Sequence, residues 1–159
     1  MIHCLSIVGL ICGLIFSAIP ARASSSLDIL AEIGPWPVVS RLIGYGDRLW
    51  FANSVKGRNH NSADVYSYGM KTGDVRYERH LFSQDAGRPV IFDGLLHWPL
   101  EDARFSLGYG HVMSTDGVEW TENIIPSGRI FHTHALAATD HLIAATSAWR
   151  AHIDLSFDG

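Results

Sequence analysis

The side chains best suited to chemistry fall into three groups. His132-Thr133-His134 separates two imidazoles by one residue. On an extended strand that spacing puts both on one face, as a pair of ligands for a divalent metal. Arg41 and Arg88 stand 47 residues apart, and Arg129 lies close to a third equivalent position. Guanidinium groups converging from such positions clamp a carboxylate through paired N–H donors. Glu101-Asp102, Glu119 and Glu122 supply carboxylates. Glycosidic chemistry needs two carboxyls facing each other across about 5–9 Å, whereas neighbours on a strand point apart. The sequence offers no third metal ligand and no complete nucleophile–base set, so no cofactor is assigned beyond a candidate divalent metal on His132 and His134, whose alternative is a pair of polar side chains hydrogen-bonding near the axis.

The elements that must position these groups come from an internal repeat. The motif Asp-x-Leu-apolar recurs as Asp47-Arg48-Leu49-Trp50, Asp93-Gly94-Leu95-Leu96 and Asp140-His141-Leu142-Ile143, at spacings of 46 and 47 residues. A second marker, Val65-Tyr66-Ser67, Val112-Met113-Ser114 and Asp154-Leu155-Ser156, keeps step at 47 and 42. A period in the forties is the length of one four-stranded propeller blade. Short apolar runs such as Leu95–Trp98 between Gly/Asp turns, with no helical periodicity, predict an all-β chain. A β-sandwich also spaces strands evenly, but it does not repeat two markers together. The expected fold is a series of β-propeller-type repeats of four-stranded antiparallel blades, over 38–83, 84–126 and a truncated 127–159. About three blades leave the ring incomplete, since closed rings need about four to eight, so the chain reads as the N-terminal part of a longer propeller. Phe131–Ala138, apolar on both faces, suits a blade covered on two sides.

The second unit contains Ser114-Thr115-Asp116-Gly117-Val118-Glu119-Trp120. This stretch resembles the Asp-box of sialidase-like (BNR-repeat) β-propellers, and Ser156-Phe157-Asp158-Gly159 looks like the opening of another. The first unit, with Thr72-Gly73 leading to Tyr77, is closer to a kelch-like turn. The resemblance implies a propeller in which Ser114, Asp116, Gly117 and Trp120 are structural and lie on the face away from the ligand site, and it places Glu119 and Glu122, which belong to the same turn region, on that face too. It implies no particular reaction. The Phe-Arg-Ile-Pro segment of sialidase-like enzymes has only Ser40-Arg41-Leu42-Ile43 near it, and no tyrosine–glutamate nucleophile pair is assignable.

If the tight Gly/Asp turns mark one end of the blades, the longer connections mark the other, where binding usually resides. Those connections carry Lys56, Arg58 and His60, then His80, Asp85 and Arg88, then Arg129, His132 and His134, and finally Trp149 and Arg150. Trp98 and Trp149 suit sugar stacking or a protein hot spot. Residues 1–23 read as a signal peptide, with Ala21-Arg22-Ala23 as the cleavage signal, and 24–37 as a lead-in. Both cysteines, Cys4 and Cys12, leave with it, so no disulfide is expected in the exported chain. A net charge of −4 without a Lys/Arg run argues against nucleic acid. The apolar run is short for a membrane span, which predicts a secreted or periplasmic product. The function expected first is ligand binding, to carbohydrate or protein. The alternatives are a sialidase-like glycoside hydrolase, a metal-assisted lyase or hydrolase, and a plain repeat scaffold.

Overall fold

A computed structural model describes residues 33–36, 38–54, 63–102, 110–125, 127, 130, 132–148 and 150–159, all within the unit Ala31–Gly159. The leader, Lys56, Arg58, His60, Arg129 and Trp149 lie outside the described residues. Every regular element described is a strand. β1 (Val38–Tyr45), β2 (Arg48–Ser54), β3 (Ala63–Gly69) and β4 (Val75–Leu81) form an antiparallel sheet in that order. The second sheet comprises β5 (Ser83–Ala86), β6 (Val90–Phe92), β7 (Leu95–Asp102), β8 (Gly110–Thr115) and β9 (Trp120–Ile125). In the third, β10 (Thr133–Ala138), β11 (Ile143–Ser147) and β12 (Ile153–Ser156) follow one another. All pairings are antiparallel, and none of the three sheets closes on itself.

β5 and β6 run in tandem along one edge of β7. The gap between them, Gly87–Pro89, has a chemical cause. Pro89 has no N–H for the ladder, and neither has Pro99 on β7. A Cβ at Gly87 would come 2.5 Å from Pro99 Cγ and 3.4 Å from the His134 carbonyl oxygen, so only glycine fits beside that ring.

The sheets stack face to face. Trp50, Ala52, Val65 and Leu81 of the first share one buried cluster with Leu96, Trp98, Leu100 and Met113 of the second. Phe92 and Val112 of the second meet Leu136, Ile143 and Ala145 of the third. β8, covered on both faces, is buried along its whole length, whereas the outermost strands β4 and β9 are largely exposed. Phe131 is not described, and within β10 His134, Ala135 and Ala137 are exposed. Double coverage therefore belongs to β8 rather than to that stretch.

The repeat markers do not all keep their facing. Trp50 and Leu96 hold the same place in the Asp-x-Leu-apolar motif, yet they point toward each other across the first interface. Two different two-residue hairpins explain this. Gly46 alone has positive φ between Tyr45 and Arg48, the II′ pattern, whereas Asp93 and Gly94 both do between Phe92 and Leu95, the I′ pattern. The motif aspartate is second in one turn and first in the other. That one-residue slip turns every following side chain to the opposite face. Ser67 and Ser114 do agree, each lying opposite a residue turned to the following sheet; Ser156 instead lines the cleft with the preceding one.

Candidate functional site

The tight turns gather at one end and are tied to each other. Asp116 Oδ1 accepts from the backbone N–H of Val118 and Glu119, both at 2.8 Å, and Thr115 Oγ1 accepts from Gly117 N–H at 2.9 Å. These donors, that of Glu119 first, hold the Asp116 carboxyl below its ordinary value. Gly117, at φ 98°, lies over the Trp50 and Tyr45 rings, with 3.8 Å to each from where a Cβ would be. The Trp120 ring packs on Trp50 at 6.2 Å, and Tyr45 donates its hydroxyl to the Gly94 carbonyl at 2.5 Å. The carboxylate of Asp116 is thus consumed in closing its own turn. Asp116→Ala should lower the thermal midpoint modestly, and Asp116→Asn should lower it less because one acceptor oxygen remains. Differential scanning fluorimetry reads the difference; equal midpoints would mean that the turn closes without this side chain.

At the opposite end the nominated residues are dispersed. Arg41 sits at the β1 irregularity between Ser40 and Ile43, in the left-handed region at φ 63°. Arg41 and Arg88 are exposed, and neither forms an ion pair among the described residues. Arg150 is exposed in the β11–β12 connection, its carbonyl accepting from His152 N–H at 2.8 Å. The paired-imidazole expectation needs correction. His132 precedes β10, has φ 54° and is buried, while His134 is half-exposed. The period-two rule holds only for extended backbone, so the two rings do not share a strand face. His134 Nδ1 instead meets Glu101 Oε1 at 2.8 Å, bridging the third sheet to the second. No group of three or more His, Cys, Asp or Glu among the described residues is placed to hold a metal ion.

A denser constellation lies along β4. Within Tyr77–Phe82 the chain carries two aromatic rings, a carboxylate, a guanidinium and an imidazole. The pairing of β3 with β4 shifts between Val65 and Tyr66, so Glu78 is the extra residue of a bulge. A bulge re-aims the side chains around it. Glu78 Oε1 accepts from Ser67 Oγ and lies 3.9 Å from Arg48 Nε. His80 Nδ1 is 2.7 Å from Asp64 Oδ1, while Asp64 Oδ2 accepts from Trp36 Nε1 at 3.0 Å. Phe51, Tyr66 and Tyr77 form a ladder of rings with centroids 6.1 and 5.4 Å apart, which fixes Tyr77 from behind. Burial first, then the Asp64 carboxylate, push the Tyr66 and Tyr77 phenols above their ordinary value, leaving both as neutral donors.

Tyr77, Glu78, Arg79, His80 and Phe82 line a groove of about 500 Å³ with Leu100, Met113 and Glu122 of the second sheet. Glu122, assigned from sequence to the turn end, is instead two residues into β9, opposite Met113, and accepts from buried His111 Nδ1 at 2.9 Å. Tyr77 and Phe82 are 57 % and 54 % exposed. Such a groove offers ring faces to apolar surface and fixed charged groups to hydroxyls. Its only advance sign in sequence was the density of polar and aromatic types between residues 77 and 82. Comparisons with protein-family models, curated proteins and solved structures find no match to this chain.

Proposed function

We propose that this chain is an exported β-propeller-type protein that binds a ligand, and that the ligand is a carbohydrate held along β4. Three successive antiparallel sheets, each packed by its face on the next, support the propeller reading. The observation that carries the ligand class is the groove itself. Exposed Tyr77 and Phe82 accompany Arg79 and two anchored groups, Glu78 held by Ser67 and Arg48 and His80 held by Asp64. Sugar rings present C–H faces that stack on aromatics and hydroxyls that bond to such charged groups. A hydrolytic second reading draws on one fact, that Glu78 and Glu122 share the groove.

A glycan array probed with the purified chain tests the proposal. A restricted set of glycans should be retained intact, and Tyr77→Ala with Phe82→Ala should weaken retention at least tenfold, the equivalent of ~1.4 kcal/mol. A profile unchanged in the double variant would remove β4 from the site. Release of reducing sugar would favour the hydrolytic reading.

A further inference from the structure

The bulge in β4 decides which partner each side chain meets. Tyr77 lies opposite Tyr66, and the register then slips by one, so that Arg79 lies opposite Val65 and His80 opposite Asp64. An unbroken ladder from the Tyr66–Tyr77 pair would instead set Arg79 opposite Asp64, a cross-strand ion pair at a buried carboxylate. The extra residue gives that carboxylate to His80, at 2.7 Å, and leaves the guanidinium against an apolar neighbour. Val65 shares its buried cluster with Leu100 and Met113, so Arg79 is turned toward the second sheet and lines the groove beside those two residues. Both glutamates of the groove are engaged elsewhere: Glu78 by Ser67 Oγ and by Arg48 at 3.9 Å, Glu122 by His111 Nδ1 at 2.9 Å. Arg79 itself is exposed and forms no hydrogen bond or ion pair among the described residues. It stands near the stacking ring, for on the Tyr77 phenol burial and then Asp64 act upward, while the Arg79 charge acts downward.

We propose, on the carbohydrate reading of this groove, that the bound sugar carries an oxyanion, a carboxylate or a sulfate ester, and that the Arg79 guanidinium grips it while the sugar ring stacks on Tyr77. The guanidinium fork matches the two oxygens of a carboxylate, or two of a sulfate, with paired N–H donors. It stays charged at every physiological pH, so selection is by sign and geometry rather than by protonation.

Matched pairs of oligosaccharides on the glycan array test this: hexuronic-acid oligomers against their carboxyl-reduced forms, and sulfated galactose oligomers against their desulfated forms. In at least one kind of pair the charged member should be retained about tenfold more tightly or better, and the pair that shows it identifies the oxyanion. Arg79→Gln should bring that ratio close to unity. Arg79→Lys should restore only part of it, because an ammonium has no planar fork. Circular dichroism establishes that both variants are folded. Equal retention within every pair, or a preference that survives Arg79→Gln, would overturn the proposal while leaving carbohydrate binding along β4 in place. Retention of no glycan, charged or neutral, would remove the carbohydrate reading and the oxyanion with it.

Discussion

Trp50→Ala should lower the free energy of unfolding by about 3–5 kcal/mol, the range for deleting a large buried ring. Trp50 is 2 % exposed and sits where the first two sheets meet. Its ring contacts Tyr45 at 6.3 Å and Trp120 at 6.2 Å, and its Nε1–H donates to the Tyr45 carbonyl at 3.3 Å. Truncation would open a cavity under the Gly117 turn and loosen both neighbouring rings. Trp50→Phe should cost less, since it keeps most of the apolar volume and gives up one long hydrogen bond. Urea unfolding followed by circular dichroism gives both values. A loss below about 1 kcal/mol for the alanine variant would mean that the sheets are not joined through this residue.

The second large effect is expected at Arg48. Its guanidinium donates to Ser67 Oγ at 2.6 Å, to Asp74 Oδ2 at 3.1 Å and Oδ1 at 3.3 Å, and to the Asp74 carbonyl at 3.2 Å. Arg48→Ala would leave Glu78, mostly buried, facing Ser67 without its cation. The expected cost is about 2 kcal/mol, below that of a fully buried pair because Asp74 is partly solvated. Lysine should not restore it, because an ammonium lacks the planar fork that reaches both Asp74 oxygens and Ser67. The same network predicts a pH dependence. The bond from Arg48 first, then that from Thr72, hold the Asp74 carboxyl well below its ordinary value, against a smaller opposing effect of burial. A carboxyl whose folded pKa is depressed contributes stability above its unfolded pKa, near pH 4, and loses it as pH falls toward the folded value. The stability difference between the native chain and Asp74→Asn should therefore be constant from pH 5 to 7 and shrink below about pH 4. A difference that grew on acidification would contradict the geometry around Arg48.

Much of the architecture was legible because Gly and Asp mark two-residue hairpins at Gly46-Asp47 and Asp93-Gly94, and short apolar runs between them read as strands. Facing was not. The same aspartate serves II′ and I′ turns from different positions, and nothing in the motif announces which, so Trp50 and Leu96 read alike but oppose each other. His132 and His134 were paired on the assumption of extended backbone, and the left-handed conformation at His132 breaks that premise. Glu122 was placed with its neighbours in the turn, although two residues of strand suffice to carry it into the groove. That groove joins β4 to residues some 20 to 40 positions later, and proximity of that kind follows from sheet stacking rather than from spacing in sequence.

Amide hydrogen exchange with and without a glycan selected on the array tests the central claim most directly. Slower exchange is expected along Tyr77–Leu81 and around Glu122, with little change at the turns about Asp116. Protection confined to the connections that carry Arg88, His134 and Arg150, with β4 unaffected, would contradict it.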